Sequence, residues 1–480
     1  MPDIAYPSSF HQKVLAQEAP GGEPASVTLV APTVLEPRET FDLRVAVLDQ
    51  DGYPSVECDT NVVVRGPGGS FEATFERQRP AVAAVKGARF DRPGFHRLEA
   101  ELNGEVFFSN PVRVEAKPAE RVYWGDPHVH TVLSRCHTEN CRSLNFCFTA
   151  ARHVTGLDWV TAADHVSNGR CDFAKWREQS LTSDLYDDSP DFVTLPGYEA
   201  SLKGGCGGDN NVYTLRWPDM FVDEHDEGNA KTLCEKLAEK LDPSEFFIVP
   251  HHTTRTGKHG EIPESIYPGL ELMPLVEIHS KWGTSEYRGN PNPLVKVHDG
   301  PCYAVDLLNQ GLPLGFIGGT DTHATMPSGF GIEPATGHLH TLPGFTAARA
   351  KTLSRPSLFE ALRTRNCYAT SLERIYLDVT IAGRRSGEIV KEADLSIPRE
   401  IAIAVAGKSD IEKVEVVRNG KMVQTFEPGG WHAQLSYVDT EDARALTLPS
   451  KHIGDFVYYY VRVTCASGAQ AWSSPVWLLG

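Results

Sequence analysis

From Pro24 to Ala116 apolar and polar residues alternate in short runs. Ser26-Val-Thr-Leu-Val, Thr40-Phe-Asp-Leu-Arg-Val-Ala-Val-Leu, Asn61-Val-Val-Val-Arg, Phe95-His-Arg-Leu-Glu-Ala-Glu-Leu and Val112-Arg-Val-Glu carry the period of two that buries one side of a strand. Asp51-Gly and Gly66-Pro-Gly-Gly interrupt them as turns. Evenly spaced strands without a helical stretch predict a β-sandwich over 23–117. The aperiodic residues 1–22 before it read as a surface arm.

After Pro118 the pattern changes. Apolar runs at Leu157-Asp-Trp-Val-Thr-Ala-Ala, Phe192-Val-Thr-Leu-Pro-Gly-Tyr, Phe246-Phe-Ile-Val-Pro, Leu275-Val-Glu-Ile and Leu314-Gly-Phe-Ile-Gly-Gly read as buried strands. Helical patterns at Ala230–Leu241 and Pro356–Thr364 lie between or after them. Alternating strands and helices place 118–372 in the α/β class, with a parallel sheet closed into a β/α barrel. From Leu372 alternation returns in Ile375-Tyr-Leu-Asp-Val-Thr-Ile, Glu400-Ile-Ala-Ile-Ala-Val, Val414-Glu-Val-Val-Arg and Asp455-Phe-Val-Tyr-Tyr-Tyr-Val-Arg-Val, with Asn419-Gly as a hairpin signal. Residues 373–480 are expected to form a second β-sandwich.

Composition narrows the partners. The 480 residues are 41% hydrophobic and 23% charged, ordinary values for a soluble globular protein. A net charge of −17 disfavours nucleic acid and anionic membranes, both of which attract basic faces. A local basic pocket for an anionic substrate is still compatible with it. The N-terminus shows no basic start followed by an apolar run, and no apolar stretch approaches the ~18–20 residues of a membrane span. A cytoplasmic protein is the resulting expectation. The ten cysteines form no Cys-X-X-Cys pair and read mostly as free thiols. Cys136, Cys141, Cys147 and Cys171 crowd one region, where a local disulfide or a thiolate ligand is an alternative.

The chemistry concentrates in the middle segment. In Tyr123-Trp-Gly-Asp-Pro-His-Val-His-Thr, a strand would send His128 and His130 to one face, with Asp126 beside them. Two ordinary histidines on a polar strand face would look the same. The later strands decide between these readings. Asp164 and His165, Glu199, His251 and His252, Glu277 and His279, and Asp321 and His323 each follow a predicted strand. In a β/α barrel these ends share one mouth. Five such placements point to a metal site. Imidazole plus carboxylate suits zinc, manganese or iron rather than calcium, and the donors suffice for two or three divalent ions.

Asp126-Pro-His-Val-His-Thr, Asp164-His165, Glu199, His251, His279 and Asp321-Thr-His323, in this order, resemble the PHP (polymerase and histidinol phosphatase) superfamily. The resemblance is closer to a PHP-like family catalogued as a domain of unknown function. Its Gly-Thr-Asp-X-His motif and its Ala-Trp-Ser-Ser-Pro-hydrophobic-Trp ending match Gly319–His323 and Ala471–Trp477. The likeness covers about residue 120 to the end. It implies a distorted (β/α)7 PHP-type barrel, here flanked by N-terminal and C-terminal β-sandwich domains, and often a trinuclear site. His128, His130, Glu199 and Asp321 would hold one ion. Glu199, His251 and His279 would hold a second, and His165 and His323 a third. The first motif departs from the family at Ser134-Arg-Cys-His137. Either Cys136 or His137 substitutes as a ligand, or the third ion is absent; the sequence leaves these open.

A metal-activated water cleaving a phosphate or phosphonate ester of a small molecule is the leading expectation. A metal-dependent amide or lactone hydrolase is the alternative, and a metal-stabilised binding protein a third. Arg135, Arg255, Lys258 and Lys281 are candidate contacts for a small anionic substrate, and His252 and His259 candidate general acids. Gly204-Gly-Cys-Gly-Gly-Asp reads as a loop that either closes over the mouth or merely connects, and Ser328 is a candidate substrate contact. The flanking sandwiches are candidate surfaces for a homo-oligomer.

Overall fold

The computed structural model describes residues 4–480 except 68, 138, 204–206, 226–227, 258–260, 295, 334–337 and 341, with the backbone alone at 333 and 338–340. The first residues are not an irregular arm. Ser9–Glu18 is a helix, capped by the Ser8 side chain on the His11 amide. It buries Val14 and Leu15 among Phe146, Ala150, Val154 and Met326. Glu18 anchors it through both carboxylate oxygens, accepting from the amide (2.9 Å) and hydroxyl (2.6 Å) of Ser143.

Two four-stranded antiparallel sheets follow. One runs Ile4–Ala5, Val82–Arg89, Thr40–Leu48, Ser26–Val30; the other Glu105–Phe108, Glu99–Leu102, Asn61–Gly66, Gly69–Thr74. The inward residues of both, among them Val27, Leu29, Leu43, Val45, Val62, Val64 and Ala100, share one core.

The middle segment corrects the expected α/β barrel. Its strands form no closed barrel and the protein is predominantly β, with six α-helices among the described residues. A β/α barrel needs each strand returned by a helix to a parallel neighbour. Arg121–Val129, Trp159–Ala162 and Val193–Thr194 do pair in parallel, as do Leu275–Ser280 and Gly315–Gly318. Between these groups Gly197–Ser201, Asp209–Thr214 and Phe246–Pro250 make a separate antiparallel sheet, the first two strands joined as a hairpin and the third reached through the helix Ala230–Ala238. Asp209-Asn-Asn-Val-Tyr-Thr shows no strand pattern, yet all six residues are buried. Gly344–Ala350 then closes antiparallel on Arg121–Val129.

The C-terminal part is continuous with the middle segment. Cys367–Ser371 pairs with Gln470–Ser473, which leads to Phe456–Cys465, Ile411–Arg418 and Lys421–Phe426 in one continuous eleven-stranded sheet. A four-stranded sheet, Arg384–Arg385, Tyr376–Ile381, Arg399–Ala406 and His432–Asp439, covers its far end over Leu377, Val379, Ile401, Val414, Val416 and Val461. Buried Glu286 joins the two halves. It accepts from Tyr460 Oη (2.6 Å), Arg462 Nη1 (2.7 Å) and Trp472 Nε1 (2.8 Å), tying the segment after Leu275–Ser280 to the large sheet. Among the described residues, no helix is long and apolar enough to cross a membrane, and no disulfide forms.

Candidate metal centre

The Arg121–Val129 strand delivers His128 at its end and His130 just beyond it. The segment after Gly315–Gly318 is laced alongside. His128 O accepts from the Asp321 amide (2.8 Å), and Thr322 O accepts from the His130 amide (3.0 Å). The strand Gly344–Ala350 presses on the same segment from another side, and that contact needs glycine: a Cβ at Gly344 would fall 2.0 Å from the Gly319 carbonyl oxygen. Glu199 reaches the same point from the hairpin sheet, linked to His165 by an isolated parallel bridge. The convergence expected of a barrel mouth is thus achieved by three separate sheets.

Three groups of donors result, each with ligand atoms within 4.8 Å of one another: His128, His130, Glu199 and Asp321; His130, Cys136, His165 and His323; and Asp209, His251 and His252. They adjoin. His130 Nε2 lies 2.9 Å from Asp321 Oδ1 and 3.2 Å from Glu199 Oε2. His165 Nδ1 lies 3.1 Å and His251 Nε2 3.4 Å from the Glu199 carboxylate. His252 Nε2 lies 2.8 Å from Asp321 Oδ2.

The surroundings set the tautomers. His128 Nδ1 faces Glu277 Oε2 at 3.0 Å. His130 Nδ1 faces Ser134 Oγ at 2.9 Å, which in turn donates to Asp164 Oδ1 at 2.6 Å. Both rings therefore turn Nε2 inward, the arrangement that carboxylate–histidine pairs impose on metal-bound imidazoles. The donors fit a cation. The Nε2 of His128, the Nδ1 of His165 and both ring nitrogens of His251 are buried without a hydrogen-bond partner, and carboxylates aimed at such lone pairs repel them unless positive charge lies between. Protons supply it in the protein alone. Burial pushes His130 down, but Asp321 and Glu199 outweigh it and raise its pKa to about 9. Burial would raise Glu199, but the imidazoles around it, among them His251, His128 and His130, outweigh burial and hold its carboxyl well below the usual carboxylate range. Burial drops His165 to about 3, so it offers a neutral imidazole. Burial pushes the Cys136 thiol up to about 12. Buried carboxylate–imidazole groups able to bind metal are therefore present.

The other nominated residues separate into roles. Asp126 accepts from the amides of His128 (3.1 Å), Thr320 (3.0 Å) and Ser328 (2.8 Å) and from Thr320 Oγ1 (2.6 Å). Asp164 accepts from the amide (2.6 Å) and hydroxyl (2.7 Å) of Thr131 and from Ser134 Oγ. Both carboxylates are spent on holding loops, and neither joins a donor group. His279 also stands outside the three groups, with Nδ1 3.1 Å from Thr284 Oγ1. Ser328 Oγ donates to Gly344 O. Arg135 turns outward to Asp172 Oδ2 at 3.4 Å. Lys281 is buried, its Nζ 2.8 Å from His323 Nδ1. Lys258, His259 and Gly204–Cys206 lie outside the described residues.

Asp209 and Arg170 escaped the sequence reading. Asp209 sits in the strand whose polar sequence concealed it. Arg170 lines, with Arg255, a cleft of about 290 Å³ whose floor includes Cys136, His165, Glu199 and His252. Arg255 stacks on Trp282, 4.3 Å from the ring centre. The cluster of ionisable residues after Gly169 was the only available signal for Arg170.

No protein-family model matches the chain. It is 28% identical over 401 residues to an uncharacterized protein of Chlamydia pneumoniae and 28% identical over 404 residues to one of Chlamydia trachomatis serovar D. Each match takes in 81% of this chain and 63% of the relative, so the chain spans less than two thirds of those proteins. Among solved structures, Salmonella alpha-2-macroglobulin reacted with methylamine matches at 10% identity, 96% of this chain, 24% of that chain and a TM-score of 0.17. An engineered protein matches at 13% identity, 68% of this chain, 50% of that chain and a TM-score of 0.17. Likeness at that level carries no argument about fold or activity.

Proposed function

We propose that the chain is a metal-dependent hydrolase of a small anionic ester, a phosphate or phosphonate ester, with a PHP-type set of ligands held on a largely β scaffold. The observation that carries this reading is the juxtaposition of three donor groups, two of imidazole and carboxylate and one of imidazole and thiol, each of which lends residues to the lining of one small cleft that also holds two arginines. His128, His130, Glu199 and Asp321 would hold one divalent ion, and the group around His165 would hold another. Bound zinc, manganese or iron would supply an activated water near neutral pH and neutralise charge on the ester oxygens.

The protein's own residues do the rest. Arg170 and Arg255 place two guanidiniums at the cleft, where they orient an anionic group as planar hydrogen-bond donors. Arg255 is steadied for this by Trp282. His252 lies between Asp321 and Asp209, at 2.8 and 3.9 Å. Two carboxylates flanking one imidazole keep a proton on it, which suits His252 to protonate a leaving group. The cleft of about 290 Å³ is at the small end of ligand sites and accepts a small molecule rather than a polymer segment.

The test is turnover by protein of known metal content. Zinc-, manganese- and iron-loaded samples should cleave aryl phosphate or phosphonate esters, and chelation should stop them. Cleavage of amides or lactones alone would replace the ester by a carbonyl substrate. Fully loaded protein inert toward every class would end the hydrolase reading.

A further inference from the structure

The second donor group contains a thiol. His130, Cys136, His165 and His323 bring their ligand atoms within 4.8 Å of one another, and among the described residues Cys136 is the only cysteine in such a group. Local backbone geometry puts it there. Val132–Ser134 makes a 3-10 turn capped by Thr131, and Arg135 and His137 both adopt left-handed conformations, at φ 52° and 47°. Two such residues flanking Cys136 bend the chain in a way few side chains favour. Arg135 is thereby turned outward to Asp172 while Cys136 lines the cleft.

We propose that Cys136 is a metal ligand and that this group is a thiolate-containing site for a thiophilic divalent ion, zinc in preference to manganese. The proposal rests on the metal-dependent reading above and adds a ligand and a selectivity to it. His130 decides the coordination. Its Nδ1 is engaged by Ser134, so only Nε2 remains, and that atom lies 2.9 Å from Asp321 in the neighbouring group. One nitrogen serves one ion. With His130 given to its carboxylate neighbours, Cys136, His165 and His323 remain as three protein donors, His323 through Nε2, since its Nδ1 faces Lys281. A tetrahedral ion so held keeps its fourth position for water or substrate, as catalytic zinc does. Thiolate softness favours zinc over the harder manganese, which the carboxylate-rich group suits better. Binding replaces the sulfur–hydrogen bond by a sulfur–metal bond and releases one proton to solvent for each ion bound there.

Full-length protein, stripped and reloaded with cobalt(II), provides the test. Wild type should show near-ultraviolet sulfur-to-cobalt charge-transfer absorption. Cys136→Ser should lose the band and one ion per chain while keeping its circular dichroism, and His251→Ala, in a different group, should keep the band. Offered equal zinc and manganese, wild type should fill the thiol position with zinc. Cobalt bound without the band, or Cys136→Ser with undiminished band and metal content, overturns the thiolate ligand and leaves the metal-dependent reading standing. A wild type that binds no metal at all overturns both.

Discussion

Glu277 Oε2 lies 3.0 Å from Nδ1 of His128, and both side chains are buried. The pair fixes the imidazole so that Nε2 projects toward Glu199 and Asp321, each 3.5 Å away. Glu277 therefore acts through His128. Glu277→Gln keeps the size but removes the charge that makes the ring a strong donor, and should weaken metal binding about 10–100-fold. Metal titration followed by calorimetry measures this. Unchanged affinity would mean that the contact only packs the strand.

Direct ligands should behave differently. His128→Ala and Asp321→Ala each remove a donor from the group with the most carboxylate character. Both should abolish turnover and lose bound metal, with far-ultraviolet circular dichroism unchanged. Asp321 sits at φ 50°, a conformation its own short polar side chain tolerates better than alanine does, so some loss of stability is expected at that position. Appreciable turnover in either variant would place the chemistry elsewhere.

Asp126 adjoins the same histidines but faces four hydrogen-bond donors. Asp126→Asn turns an amide toward some of those donors and leaves them unsatisfied. A loss on the order of 2–4 kcal/mol in stability follows from the usual cost of buried unpaired groups. Chemical denaturation of the variant gives this number directly. A variant as stable as wild type yet inactive would return Asp126 to the chemistry and remove it from the scaffold.

What could be read beforehand follows the reach of each signal. His128 and His130 were legible because two residues apart on a strand share a face, and Asp321 and His323 because their motif repeats that spacing. The β-sandwich texture of the first hundred residues was legible from alternation, since one sheet face meets a core there. The barrel was not, because apolar runs at Phe246 or Leu275 give strand burial and say nothing of partner or direction. Asp209 was hidden by a buried strand of polar residues. Asp164 looked like a ligand because carboxylates that hold loops and carboxylates that hold metals occupy the same strand ends. Its three donors, Thr131 twice and Ser134, become visible only in space.

The N-terminal helix carries a further test. His153 Nε2 and His11 Nδ1 lie 3.2 Å apart, joining Ser9–Glu18 to Leu144–His153. Burial, then His11, Arg152 and Arg44, hold His153 well below its ordinary 6.5, and burial and Arg152 lower His11. A depressed histidine pKa means that the unfolded or undocked chain binds the proton more readily. The contribution to docking is therefore complete above pH 6.5 and declines as pH falls below it toward the folded value. For buried His153 the slope is on the order of 1 kcal/mol per pH unit. Hydrogen-exchange protection factors in residues 9–18, corrected for the intrinsic exchange rate at each pH, should fall between pH 6.5 and 5 while those of the paired strands at Val414 and Val463 do not. His153→Gln, which cannot charge, should flatten that dependence. An equal fall in protection in the variant would assign the loss of docking to another group.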